Sequence, residues 1–489
     1  MTPDSNRRPN ILFCMTDAQI HRALGCAGNR EVRTPHLDAL AAEGVHFRQA
    51  YACSPVCGPS RAAMMSGRYP IAYGMVNNFG CLPPSEPTLG QLFSAAGYRT
   101  GYFGKTHYGR SNDAMREEGW EAQFLLADYN RYLRAAGVPH EYPRNLVAES
   151  RTRYWKMGTS KIPLEHYFEK VLGDRAVEFV RSADERPFLC FLSMIAPHGP
   201  FSPPAPYDRM YDPASLTLFP RSEGELEGKP AEFVRWVTQN RKYVTDAELR
   251  EFLAITYGLV SLADDTVGRL VAALKTAGVY DNTVIVFASD HGDYGSKYGI
   301  LGKSWCMDDV LSRIPLIISH PDHRGEGRTS DALVENIDLL PTLLESGSIP
   351  VPRKVQGRSL LPILSGSRES VKEAVFSFHS SEYSEARLNL SMIRRGEWKL
   401  VQSDTDENQL YHLPSDPYEW KNRIDEPELH ELVRSLQYDL LRCHVANTGQ
   451  SFPIETTRFW TDETYFYDET RFNGSRQITR SGEWESTTS

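Results

Sequence analysis

Thr283-Val284-Ile285-Val286-Phe287-Ala288-Ser289 runs directly into Asp290-His291-Gly292, and the reading of this stretch decides the fold. An uncharged run rich in β-branched residues predicts a strand buried on both faces. That is the mark of a parallel sheet covered by helices, not of an antiparallel sheet with one wet face. A second run, Ile11-Leu12-Phe13-Cys14-Met15, reads the same way and also stops at an acid, in Thr16-Asp17-Ala18-Gln19. Open α/β sheets gather their ligands at the carboxyl ends of strands. At Asp290-His291 the following glycine lets the chain break, so both side chains can reach one metal ion. At Asp17 the residues leave two readings open, a ligand and a helix N-cap.

The chain has 489 residues, 40% apolar and 24% charged, the make-up of a globular protein with one large domain and a smaller one. A net charge of -9 excludes nucleic acid as the expected partner. An anionic ligand must therefore be captured by a local positive site. Only Ile11 to Met15 follow the basic residues near the start, too short for a signal peptide core. No run approaches membrane-spanning length. Eight cysteines without paired spacing read as reduced thiols. These features together predict a cytoplasmic protein acting on a small imported substrate, with no membrane partner.

Between the two strands lies Cys57-Gly58-Pro59-Ser60-Arg61, which closes a loop and opens a helix ending at Ser66-Gly67. A reactive side chain there sits at a helix N-terminus, where free N–H groups favour an anion, and Arg61 adds a fixed positive fork. Tyr98 to Phe103 predicts a further strand, leading to Gly104-Lys105-Thr106-His107. Residues two apart on an extended end point the same way, so Lys105 and His107 can converge on one anion. Phe188 to Met194 predicts another strand, ending in Ala196-Pro197-His198-Gly199-Pro200-Phe201, a rigid loop around a histidine. Asn78, in a turn-rich loop, reads equally as a turn residue or as a neutral donor to the site. His36 and His46 read as structural or surface residues.

These motifs together resemble those of type I, formylglycine-dependent sulfatases of the alkaline phosphatase superfamily. Cys57-Gly58-Pro59-Ser60-Arg61 is similar to the C-x-P-S-R element whose Cys is oxidised to Cα-formylglycine by a maturation enzyme. Lys105-Thr106-His107 resembles the second motif, with Thr106 in place of an aromatic residue. Pro197-His198-Gly199-Pro200-Phe201 resembles the P-H-x-P-F element, and Asp290-His291-Gly292 with Lys303 downstream resembles the metal loop. Asp17 is followed by Ala18 where many members have a second Asp, as in the choline sulfatase and phosphonate monoester hydrolase branch.

The resemblance implies an α/β fold, a large mixed, mostly parallel sheet flanked by helices, with a smaller C-terminal α+β subdomain. It implies that Asp17, Asp290, His291 and the oxidised side chain at 57 surround one divalent cation. A histidine in an otherwise oxygen ligand set leans toward manganese over calcium. It implies a hydrated aldehyde at 57 that attacks sulfur and passes through a covalent sulfo-enzyme intermediate. Lys105, His198 and Lys303 would bind the sulfate, His198 or Lys303 would assist the leaving oxygen, His107 would act as the base, and Arg61 would orient residue 57. The substrate would be a small anionic sulfate ester of an aryl, alkyl or sugar alcohol. Phosphonate monoesters and phosphodiesters have the same shape and charge and form the alternative. A non-catalytic metal-binding protein in which Cys57 stays a thiol is the remote one.

Domain boundaries are expected at 1–365 for the catalytic part, 366–448 for an antiparallel sheet with a helix, and 449–489 for an aromatic-rich tail. Residues 110–163 read as an insertion lining the substrate pocket, and 204–245 as loop. Within 366–448, short strands are expected at 374–379, 388–394, 398–402 and 410–413, before a helix at 427–445. The tail holds Phe459-Trp460, Tyr465-Phe466-Tyr467 and Phe472, too aromatic for a plain disordered tail, and predicts docking on another subunit of a homo-oligomer.

Overall fold

The protein is described here from a computed structural model. It describes residues 8–448 except 110–114, 116, 140–156, 183, 304, 324–326, 382–387 and 406, together with the pairs 477–478 and 484–485. The aromatic residues of the tail lie outside the described residues.

The two founding strands are β1 (Asn10–Asp17) and β7 (Thr283–Ser289), paired in parallel and wholly buried. Between them in sequence come β2 (Val45–Phe47), β3 (Ala50–Tyr51), β4 (Arg99–Gly104), β5 (Ala122–Leu125) and β6 (Phe188–Pro197); after them come β8 (Arg313–Ile314), β9 (Leu316–Ser319), β10 (Arg328–Ser330) and β11 (Val334–Glu335). The main sheet runs β10-β2-β9-β7-β1-β6-β4-β5, mixed but mostly parallel. Alternation along β1 sends Ile11, Phe13 and Met15 into one core and Leu12 and Cys14 into the other. The first core is covered by helix α2 (Cys57–Ser66). The second is covered by α1 (Pro35–Glu43), α3 (Phe168–Arg181) and α4 (Asp246–Thr276). Helix α4 starts at a capping box in which Thr245 and Glu248 satisfy each other's backbone.

Three expectations change. The segment 110–163 is not wholly an insertion, because Ala122–Leu125 forms the parallel edge strand β5 and residues 126–135 a helix beside it. Ala231–Asn240, expected as loop, is a helix that buries only Phe233 and Val237. The run Arg313-Ile314-Pro315-Leu316-Ile317-Ile318, which the resemblance implies as one strand after the metal loop, is split at Pro315, which has no N–H for a ladder. Arg313–Ile314 therefore pairs with β3 and Leu316–Ser319 with β7.

A second, antiparallel sheet follows: β12 (Ala374–Ser381), β13 (Leu388–Arg395), β14 (Trp398–Ser403) and β15 (Gln409–His412). Helix α5 (His430–Thr448) packs on it through Val433, Leu436 and Leu440. This sheet is tied to the residue-57 loop, since Phe378 N–H donates to Cys53 O at 2.9 Å. Among the described residues no helix is long and apolar enough to cross a membrane.

Candidate active site

Four neighbouring strands, in the order β7-β1-β6-β4, each end at a chemically active side chain: Asp290 and His291, Asp17, His198, and Lys105. Gly104 makes this convergence possible at β4. Its φ is +119°, and a Cβ there would stand 1.9 Å from Ser193 O, so only glycine lets β4 approach β6 and release Lys105 into the site. Helix α2 supplies Cys57 in its first turn, following Val56, whose backbone is extended and whose own side chain makes no capping bond.

The ligand atoms of Asp17, Cys57, Asp290 and His291 all lie within 4.8 Å of one another and are buried. His291 Nε2 is 3.1 Å from Cys57 Sγ, 3.6 Å from Asp290 Oδ1 and 3.8 Å from Asp17 Oδ1. His291 Nδ1 lies 2.6 Å from Gly292 O, a contact that places the ring proton on Nδ1 and turns the Nε2 lone pair to the centre. Two carboxylates, one imidazole nitrogen and one position at 57 suit a hard divalent cation that tolerates a nitrogen ligand. The residues present therefore fit the group.

Arg61, fully buried, does more than orient its own loop. Its Nε donates to Asp290 Oδ2 at 2.7 Å and its Nη2 to Asp17 Oδ2 at 2.8 Å, leaving Oδ1 of both acids on the His291 side. Its Nη1 donates to Lys105 O at 3.0 Å and to Ser193 Oγ at 2.7 Å. The ends of β7, β1 and β4 and the middle of β6 are thus clamped by one guanidinium. Sequence reasoning missed the residues that support it. Ser193 Oγ and Tyr102 OH each donate to Lys105 O at 2.6 Å, and Asn336 holds Ser60 Oγ at 2.8 Å while accepting from Cys53 N–H. Their only signal in the sequence is a lone polar residue within an apolar run, as Ser193 is in β6.

Lys303 Nζ lies 2.7 Å from Cys57 Sγ and 3.0 Å from His291 Nε2, and Lys105 Nζ lies 3.6 Å from the same sulfur and 2.5 Å from Asp17 Oδ2. Burial pushes the Cys57 thiol up, but Lys105 and Lys303 outweigh it and hold it well below its ordinary value. Burial and Cys57 likewise push Asp17 up, and Lys105, His198 and Arg61 carry it far below the usual carboxylate range. His107, in left-handed backbone at φ 57°, is lowered to about 4 by burial and then by Lys105, against a hydrogen bond to Cys57 that favours its charged form. His198 Nε2 is 4.0 Å from Asp17 Oδ1, its Nδ1 is 2.7 Å from Gly199 O, and burial followed by Lys303 lowers it. Asn78 comes to the first turn of α2, where its Oδ1 accepts from Gly58 N–H at 2.8 Å. The contact it makes there is that of a helix cap.

Residues 9–348 match the family profile described as Sulfatase, and residues 296–446 match the one described as N-sulphoglucosamine sulphohydrolase, C-terminal. The chain is 30% identical over 451 residues to the uncharacterized sulfatase YidJ of Escherichia coli K12, covering 89% of this chain and 86% of that one. It is 28% identical over 461 residues to an ulvan-active sulfatase of Formosa agariphila, covering 92% and 83%. Among solved structures, the phosphonate monoester hydrolase of Silicibacter pomeroyi superimposes with a TM-score of 0.78 at 25% identity, over 98% of this chain and 99% of that one.

Proposed function

The chain belongs to the sulfatase family of the alkaline phosphatase superfamily and is a sulfatase enzyme, and from that premise we propose that it hydrolyses a small sulfate monoester at the pocket over residue 57. The observation that carries this reading is the double lysine contact on Cys57 Sγ, at 2.7 and 3.6 Å, beside four ligand atoms within 4.8 Å of one another. In this reading Asp17, Asp290, His291 and residue 57 hold a divalent cation, manganese or calcium. That cation and the formylglycine made from Cys57 by a maturation enzyme supply the acidity and the nucleophile.

The chain's own residues do the rest. Lys105 and Lys303 bind the ester oxygens and balance the charge that builds as the sulfur–oxygen bond breaks. Lys303 is better suited than His198 to protonate the leaving oxygen, because the His198 contact to Gly199 O leaves Nε2 as a lone pair. His198 then accepts or orients rather than donates. His107, lowered to about 4, is neutral near pH 7 and able to accept a proton. Arg61 keeps both carboxylates in place without touching substrate. The pocket asks for a singly charged tetrahedral ester. A cytoplasmic location and self-association through the C-terminal tail complete the proposal.

The likeness to a phosphonate monoester hydrolase over 98% of this chain, and the single acid at Asp17-Ala18, favour phosphonate monoesters or phosphodiesters as the second reading. Steady-state hydrolysis of 4-nitrophenyl sulfate and of phenyl 4-nitrophenyl phosphonate decides between them. A higher kcat/KM for the sulfate, abolished in Cys57→Ala, supports the first. A higher value for the phosphonate moves the assignment to the second.

A further inference from the structure

A cavity of about 870 Å3 lies next to the catalytic strand ends. Its wall includes Ala18, Pro197 and Asp293, close neighbours in sequence of Asp17, His198 and His291, but none of the groups that converge on Cys57. The volume is that of a small-molecule site.

Arg22 stands on this wall with its guanidinium 5.6 Å from the ring centre of Phe219 and 5.1 Å from that of Tyr418, which also line the cavity. The two rings meet edge to face, and Tyr418 is itself stacked on Trp420. A guanidinium held by aromatic rings keeps its in-plane N–H fork for an oxyanion. Among the described residues no hydrogen bond or ion pair engages that fork. Of the other arginines on the wall, Arg48 is held by Asp331 and Arg313 by Asp309 at 3.7 Å, while Arg30 is exposed and has neither a carboxylate nor an aromatic ring holding it among the described residues. Thr256, 8% exposed, lines the cavity with its Oγ1 unpartnered, and so does the Nδ1 of His21. Buried polar atoms of this kind call for a partner. Burial, then Arg313 and Arg22, hold His21 well below its ordinary value, so it is neutral and able to meet a hydroxyl.

We propose that this cavity binds a hydroxylated organic anion, a saccharide carrying a carboxylate or sulfate group, with Arg22 on the oxyanion and Thr256 and His21 on hydroxyls. The site stands apart from the reaction proposed above and does not depend on which ester is cleaved. Phe252, Leu253 and Val260 on α4 supply the apolar wall that a sugar ring covers.

Calorimetric titration of full-length Cys57→Ala protein with glucuronate and glucose 6-sulfate tests this without turnover, with glucose and inorganic sulfate as comparison probes. Both acidic sugars are expected to bind, with glucose and sulfate each at least about tenfold weaker. Arg22→Ala is expected to weaken the acidic sugars by about tenfold or more, the worth of one charged hydrogen bond. Arg22→Lys, which keeps the charge but loses the fork, should fall between, and Thr256→Val should weaken both several-fold. Added Lys303→Ala should leave the glucuronate affinity unchanged. Absence of binding, affinity as high for glucose or free sulfate, or binding lost in Lys303→Ala and indifferent to Arg22 and Thr256 would each overturn the proposal. If Arg22→Ala fails to fold, the Arg22→Lys and Thr256→Val titrations decide it.

Discussion

Two clusters of largely buried charge are built on opposite terms. One is the catalytic group, with Arg61, Lys105 and Lys303 against the carboxylates of Asp17 and Asp290. The other is a sealed belt in which Lys229, Lys297 and Lys399 meet Asp308, Asp309 and Glu419. There Lys229 and Lys297 hold Asp308 at 3.1 and 2.5 Å, and Lys399 holds Asp309 at 3.0 Å and Glu419 at 2.7 Å. Tyr298 donates to Asp308, and Asp309 N–H donates to Glu419 Oε2 at 2.7 Å. The belt balances its charges and joins the second sheet, through Lys399 and Glu419, to the segment following the metal loop. The catalytic group sets three cations against two carboxylates and a reactive position, Cys57, whose thiol its neighbours ionise, so that one cation's worth of charge answers to whatever stands at 57. Burial penalises both, but only the catalytic group is left with charge for a ligand to answer, which is why one cluster reads as structure and the other as a site.

Breaking the belt should give the largest effect on stability. Lys399→Met leaves Asp309 and Glu419 facing each other without their common cation, and removing one partner of a buried pair costs about 3–5 kcal/mol. Chemical denaturation should show this loss, while kcat per folded molecule stays near wild type. Breaking the open cluster should do the reverse. Lys303→Ala removes a group that meets developing charge, so kcat/KM for 4-nitrophenyl sulfate should fall about a hundred- to a thousandfold. Its melting temperature should stay within a few degrees of wild type, because Lys303 is only partly buried.

Acid sharpens the comparison. Asp308 and Asp309 are pushed up by burial but carried well below the carboxylate range by Lys229 and Lys297 and by Lys399 and Arg394 respectively. Groups with depressed folded values contribute stability that is present above their unfolded value and lost as pH falls below about 4, on the order of 2 kcal/mol for such a group. Glu419, raised by burial, works against this, so the two aspartates set the sign. Stability measured from pH 7 down to 3 should fall in wild type and fall less in Lys399→Met. The smallest effect is expected where pairing exists without burial. Arg186 meets Glu121 at 3.0 Å and Asp184 at 2.9 Å on the surface, with all three side chains more than two-fifths exposed. Arg186→Ala should leave the denaturation midpoint indistinguishable from wild type.

Much of the site is legible in the sequence alone, for a physical reason. β1 and β7 are buried on both faces, which forces unbroken apolar runs, and the acids stand where those runs stop. The order and spacing of the motifs around Cys57, Lys105, His198 and Asp290 do the rest by resemblance. The strand Ala122–Leu125 escapes such a reading because an edge position is only half buried and leaves little hydrophobic pattern. The helix Ala231–Asn240 escapes it because two buried residues make a faint stripe. The reach of the Arg61 clamp is hidden because its partners, Asp17, Lys105, Ser193 and Asp290, are scattered over most of the main sheet's sequence. The belt is invisible for the same reason, since Lys229, Asp308 and Lys399 meet only once the second sheet has docked.

The central claim is that the open cluster exists to present an oxidised side chain at 57 to a sulfate ester. Peptide mass spectrometry of the segment containing residue 57, from protein made together with a formylglycine-generating enzyme and assayed in the same preparation with 4-nitrophenyl sulfate, tests it most directly. The account predicts an aldehyde at 57 and turnover that scales with the oxidised fraction. Turnover by protein whose residue 57 is entirely thiol, or full oxidation without hydrolysis of any sulfate or phosphonate ester in the presence of manganese or calcium, would contradict it.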